Sequence, residues 1–315
     1  MPCPPEFPEF SDLPLDPTHP PHAAWGVWGE KDRLGTLNHL TPDHVLQAVK
    51  EVRTGVRIGL NLPLKQNFLR PSFRSPPTHE IYSIAHNMHD DCIQFNTQTS
   101  SQWDGFGHCG YVDGLFYNGT TAAQVRSVNS PIGIEAWSHQ GIVGRGVLVD
   151  FARYAKRHNL SYNPTSRAEI TLNQLQSAAE ECRINFRPGD ILVLRTGFVQ
   201  ACQAKSYDEQ QKMSLENPGQ YPGLSSSVET LRWLWDNKFA ACCGDCPSFE
   251  AWPPKGGSMH EILLAGFGMP IGELFDLDEL ARHCEAVQRW TFLVTSSPLN
   301  IEGGVASPPN ALAIF

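Results

Sequence analysis

The chain has 315 residues, with 24 Lys and Arg against 33 Asp and Glu for a formal net charge of −9, and only 18% of its residues are charged. That is long enough to bury a substantial core, too poor in charge for a disordered chain or a coiled coil, and too acidic for a non-specific nucleic-acid binder, which needs a basic stripe. No run of about 18 apolar residues occurs, so no membrane span is expected. The opening MPCPPEFPEF lacks both the basic and the apolar region of a secretion signal, so the expected location is the cytoplasm.

In chain order, residues 1–25 carry Pro2, Pro4, Pro5, Pro8, Pro14, Pro17, Pro20 and Pro21 and read as an extended arm ahead of one domain over 26–315. Thr41 before Pro42 predicts a helix start, with Val45, Val49 and Val52 on one face. Residues 62–80, with Pro63, Pro71, Pro76 and Pro77, read as irregular. His86-Asn-Met-His-Asp-Asp91 has a spacing that suits two ligands on one helical face, but a short polar run favours a solvated loop. Next comes Ser100-Ser-Gln-Trp-Asp-Gly-Phe-Gly-His108, where Gly105 and Gly107 predict a loop rather than a helix. Asp104 and His108 there can bind a divalent metal, or pair a ligand with a general base. An Asp capping the turn beside a half-buried His is the plainer reading of the same residues.

Strands are predicted at 146–150, 191–194, 239–243 and 292–295. Helices are predicted after Thr171 (Leu172, Leu175, Ala179 and Cys182 at helical spacing) and after residues 225–227 (Val228, Leu231 and Trp235). Strands and helices mix without regular alternation, so the expectation is an α/β fold with a mixed sheet and flanking helices. No GxGxxG, GxxxxGK[ST] or GxSxG motif occurs, which argues against dinucleotide, P-loop and α/β-hydrolase chemistry. The nine cysteines are odd in number and scattered, so they form no disulfide framework. Cys243 and Cys246 have CxxC spacing but no partner pair, and read as buried small hydrophobes. His260 opens a short apolar helix, and Glu273 follows after a Gly-Met-Pro turn. A His and a Glu brought together by that return can complete a metal site of mixed N and O donors, whereas Glu261 reads as a surface charge.

Six collinear segments resemble the cyclase family of metal-dependent hydrolases, the group with bacterial kynurenine formamidase and isatin hydrolase. They are Trp25-Gly-Val-Trp-Gly to Asp32-Arg-Leu-Gly-Thr-Leu-Asn38, Gly141 to Asp150, Pro188 to Gly197, Gly244-Asp-Cys-Pro-Ser-Phe-Glu250, His260 to Glu273, and Gly303 to Ala311. The resemblance implies the swivelling β/β/α fold. It also implies a metal motif, HxGTHxDxPxH, whose fixed positions fall on Gln98, Ser100, Ser101, Gln102, Asp104, Phe106 and His108. Only the Asp and the last His survive; both earlier His ligands are Gln, as in a branch reading SQWDG…H. The family's second ligand pair falls on His260 and Glu273.

The expectation is one divalent ion held by Asp104, His260 and Glu273, with Gln102 as a fourth contact. An amide oxygen is a poor ligand for Zn²⁺ and an acceptable one for Mn²⁺, Mg²⁺ or Ca²⁺. His108 and Asp104 are the expected catalytic residues, and Trp103, Phe106 and Trp252 the expected apolar wall, unless those rings are core aromatics. The implied activity is hydrolysis of a small cyclic amide, ester or lactone, with His108 as general base on a metal-activated water. Isomerisation, dehydration or cyclisation of a biosynthetic intermediate by acid–base chemistry is the alternative, and an inactive binding protein the rival. The implied partners are a small-molecule substrate and further copies of the chain in a homodimer or homotetramer, with no nucleic acid and no membrane.

Overall fold

The computed structural model describes residues 7–64, 74–216 and 219–315. Parts of the two proline-rich segments, 1–6 and 65–73, lie outside the described residues. The centre of the molecule is a nine-stranded mixed sheet. From one edge to the other it runs Arg57–Gly59, Leu312–Ile314, Thr291–Ser296, Ile142–Asp150, Ile191–Arg195, Ala241–Gly244, Ile271–Glu273, Gln102–Asp104 and Ala306–Ser307. The four strands from Ile142–Asp150 to Ile271–Glu273 are parallel, and every other pairing is antiparallel. The parallel strands read as unbroken apolar runs because both faces are covered: Ile191–Arg195 is buried at every position.

Helices seat themselves where their caps predict. Thr171 closes a capping box with Gln174 and opens Leu172–Glu181, which buries Leu175, Ala178 and Ala179. Ser227 caps Val228–Asp236, with Leu231, Leu234 and Trp235 inward and Val228 left 53% exposed. Thr41 caps Pro42–Val49 as expected, but the buried residue is Ala48. Val49 and Val52 face solvent, since this short helix lies on the Ile142–Asp150 strand by a stripe one residue away from the valines.

One expectation gives way to other structure. The polar run 86–91 is neither helix nor loop: it forms the turn and second strand of a hairpin, Thr78–Ala85 against Met88–Gln94, exposed at every position. From Phe7 onward the proline-rich segment makes contacts with its own chain. Phe10 is buried, Trp235 donates its indole N–H to the Pro8 carbonyl at 2.9 Å, and the Ala24 amide donates to Gly266 at 2.9 Å. Apolar residues spaced among the prolines fasten the segment to its own chain. Among the described residues all cysteines are free, and Cys243 and Cys246 are buried.

Candidate metal centre

Gln102–Asp104 is a strand of three residues rather than the expected loop, and its geometry builds the site. Alternation puts Gln102 and Asp104 on one face and Trp103 on the other. The antiparallel register sets Glu273 directly across from Gln102 and Ile271 across from Asp104. Opposed residues share a face, so Glu273 meets Gln102, whose Nε2 donates to its Oε2 at 2.7 Å. His260 is the N-cap of a π-helix, Glu261–Phe267, which Gly268 ends in a left-handed conformation at φ 66°. From there His260 Nε2 reaches within 3.0 Å of Glu273 Oε1 and 3.7 Å of Asp104 Oδ2. Ligand-type atoms of Asp104, His260 and Glu273 all lie within 4.8 Å of one another.

The cluster is dry: Asp104 is 0% exposed, Glu273 4% and His260 8%. A further carboxylate, Glu250, is fully buried behind the imidazole and takes its Nδ1 at 2.8 Å. Burial works against every charge here. For Glu250 the burial effect is outweighed by the His260 charge and hydrogen bonds, and its pKa falls to about 2. Burial also opposes the charge on His260, but the field and hydrogen bond of Glu250, then those of Glu273, lift its pKa well above 6.5. Burial, and then the neighbouring Asp104 charge, push Glu273 well above the usual carboxylate range. Three carboxylates around one imidazole leave excess negative charge in a low-dielectric pocket, the imbalance that a divalent cation neutralises.

Among the described residues, no hydrogen-bond donor reaches two buried acceptor atoms, Asp104 Oδ2 and Gln102 Oε1. Buried acceptors are nearly always satisfied, and an ion is one of the few explanations when they are not. The residues therefore fit a divalent cation, with two carboxylates, one imidazole nitrogen and one amide oxygen on offer. Imidazole and carboxylate donors serve Mn²⁺ and Zn²⁺ alike, while the amide oxygen is the weaker ligand for Zn²⁺ and acceptable to harder ions. Gln98 joins the network as a donor: its Nε2 donates to Asp104 Oδ1 while its Oε1 accepts Gln102 Nε2 at 2.9 Å. With the opposite amide orientation the Gln98 oxygen would face a carboxylate oxygen, so the network fixes which end is which. Gln102 thus turns its nitrogen, which cannot ligate, towards Glu273, and its oxygen is the free end.

His108 sits in the turn after Asp104, its amide donating to the Gly105 carbonyl at 2.9 Å. A Cβ on Gly105 would come within 2.9 Å of the Val305 oxygen, so the turn needs a glycine there. His108 Nε2 lies 3.9 Å from Asp104 Oδ2, and the side chain keeps 24% of its surface exposed. Burial lowers its pKa, and the Asp104 charge offsets only part of that. The ring is neutral near pH 7 and able to accept a proton.

The expected apolar wall does not form from Trp103 and Phe106. Trp103 points to the opposite face, is fully buried, and donates its indole N–H to Ser296 Oγ at 2.9 Å. Phe106 is fully buried between Tyr117 and Trp137, with ring centroids 4.7 and 5.0 Å away. Trp252 is 36% exposed, two residues past Glu250, and remains open to a ligand. Glu250 itself was not singled out from the sequence. Its signal was a carboxylate directly after apolar Phe249, where burial requires a partner.

Residues 19–251 match the sequence profile of the cyclase family, described as "Putative cyclase". The chain belongs to the cyclase family. Among solved structures, this chain is similar to one described as a novel cyclase, at 30% identity, TM-score 0.83, and coverage of 93% of this chain and 99% of that one. Isatin hydrolase A from Ralstonia solanacearum (16% identity, TM-score 0.58, covering 85% and 94%) shares the fold. So does isatin hydrolase A from Labrenzia aggregata (19%, 0.55, covering 84% and 94%). A search of curated protein sequences returns no match. The fold is the mixed α/β architecture of this family, and the candidate chemistry is that of a hydrolase or cyclase.

Proposed function

We propose that this protein hydrolyses a small cyclic amide, ester or lactone with the help of one divalent metal ion. The observation that carries the reading is the buried Asp104–His260–Glu273 group with two unpartnered acceptor atoms beside it. Asp104, His260 and Glu273 would hold the ion, with the Gln102 oxygen as the fourth contact. When bound, a divalent ion supplies Lewis acidity for a carbonyl and acidifies water. His108, neutral and partly open to solvent, takes a proton from the attacking water and returns one to the leaving group. Asp104 Oδ2, 3.9 Å from His108 Nε2, places a carboxylate beside the ring without a hydrogen bond to it. The buried strands exclude bulk water from the other side, and Trp252 is the aromatic surface left to receive a ring. The isatin hydrolases that share this fold act on a molecule of the proposed class.

The test is turnover of a lactone and cyclic-amide panel with Mn²⁺ or Zn²⁺, followed by mass. A gain of one water supports hydrolysis. No change in mass, or loss of a water, moves the reaction to isomerisation, cyclisation or dehydration, which the single imidazole donor and the free His108 base also serve. A purified protein that holds less than about 0.1 ion per chain after reconstitution supports a binding role instead, since a working site must retain its metal. The reading includes a homodimer or homotetramer. The Thr78–Gln94 hairpin exposes Ile81, Ile84, Met88 and Ile93, and a two-stranded hairpin wet on both faces is marginal alone. Light scattering of a monomer at micromolar concentration would rule that assembly out.

A further inference from the structure

Glu250 offers no atom to the cation group, yet it is the most enclosed charge beside it. It lies at the end of the segment after Ala241–Gly244, on a backbone bridge to Leu224. Its two carboxylate oxygens stand 2.9 and 2.8 Å from His260 Nδ1. Oε1 also accepts the Ser258 hydroxyl at 3.0 Å and the Met259 amide at 3.1 Å, so the carboxylate is itself fixed by the loop that carries His260. The ring is gripped from behind, and its other nitrogen, Nε2, is turned to Glu273 and Asp104.

We propose that Glu250 is a positioning residue: it holds His260 as the Nδ1–H tautomer, fixes the ring plane and dedicates Nε2 to the metal ion. An imidazole can otherwise pivot about its last torsion and carry its proton on either nitrogen. A carboxylate on Nδ1–H removes both freedoms and makes Nε2 the more basic donor. The assignment rests on the cation of the proposed function. A role limited to anchoring the 258–260 loop would make the same hydrogen bonds to Ser258 and Met259, so the test must separate the two.

Mn²⁺ dissociation constants, melting temperatures of the metal-free proteins and His260 ring ¹⁵N shifts are compared for wild type, Glu250→Ala, Glu250→Gln and Ser258→Ala. Glu250→Ala is expected to weaken Mn²⁺ about 10–100-fold, the usual cost of losing a partner behind a metal-binding His. Glu250→Gln, which keeps an oxygen acceptor and guards against a folding failure, is expected at the lower end of that range. Ser258→Ala removes two hydrogen bonds, its own to Glu250 Oε1 and that of the His260 amide to its hydroxyl, and is expected to weaken Mn²⁺ less than either Glu250 variant does. Wild-type affinity in both Glu250 variants overturns the proposal, as does an equal loss in Ser258→Ala. A wild type that binds neither Mn²⁺ nor Zn²⁺ ends the metal-dependent reading. That result ends the positioning role as well, whereas a wild type that binds Mn²⁺ while metal-free Glu250→Gln leaves the His260 ¹⁵N shifts unchanged overturns the positioning role alone.

Discussion

Two antiparallel strand pairs, one a local hairpin and one joining strands far apart in the sequence, could hardly differ more. In the Gln102–Asp104 and Ile271–Glu273 pair every residue is buried; in the Thr78–Ala85 and Met88–Gln94 hairpin every residue is exposed. The dry pair carries Gln102, Asp104 and Glu273, while the wet one carries Ile81, Ile84 and Ile93. Residue type alone would assign the two the other way round. A buried carboxylate without a full set of partners is costly and is kept where chemistry needs it. Exposed apolar side chains cost little one at a time.

The sharpest way to break the comparison is at the buried pair. His108→Ala is expected to lower turnover about 10²–10⁴-fold, as loss of a general base does, with little change in melting temperature. Asp104→Ala is expected to fall below that level, because it removes a metal contact and the His108 partner together. Full activity of both variants on a substrate that wild type turns over would end the site assignment. On the reverse face of the same strand, Trp103→Ala is expected to cost about 3–5 kcal/mol in denaturant unfolding, since it empties a fully enclosed space. A cost under 1 kcal/mol would mean that the strand is not packed as described.

The N-terminal segment gives a milder test, through acid. Burial lowers the pKa of His39, which touches Phe7 and Trp28, from 6.5 to about 4. The folded state resists protonation there, so the stability from the neutral ring is whole above pH 6.5 and lost as pH falls towards 4. About 3 kcal/mol is at stake at roughly 1.4 kcal/mol per unit. His39→Gln should flatten unfolding free energy against pH across that window, and an unchanged slope would mean the ring is not enclosed. The smallest effect is expected at the hairpin: Ile81→Ala should shift stability by no more than about 0.5 kcal/mol, as exposed positions do. A larger loss at concentrations where the chain self-associates would show the hairpin to be covered in solution.

Much of this fold could be read from the chain, for physical reasons that apply element by element. Thr171 and Ser227 cap helices through local hydrogen bonds, and the 191–194 run can only be an inner strand, so both kinds of element announce themselves locally. Val49 and Val52 misled because a short helix chooses its buried stripe by what it packs on. The hairpin escaped notice because its strands alternate towards no core and leave no period to detect. At the site, Asp104, His108, His260 and Glu273 were legible from spacing and resemblance. The facing of Trp103 was not, because the glycines at 105 and 107 made the segment read as a loop, and only in a strand does alternation send residue 103 opposite to 102 and 104. Glu250 was hidden because its role exists only through a contact with His260.

The strand that carries Asp104 has a second neighbour. Ala306–Ser307 pairs along its other edge, with Ala306 opposite Asp104. The metal group therefore lies on a strand clamped between residue 273 on one side and residue 306 on the other. Closing both edges of that strand draws on chain from residue 102 through residue 307. A chain cut short of residue 306 would carry all the proposed ligands on a strand with one bare edge, so the candidate metal group depends for its backing on residues far from every ligand in the sequence.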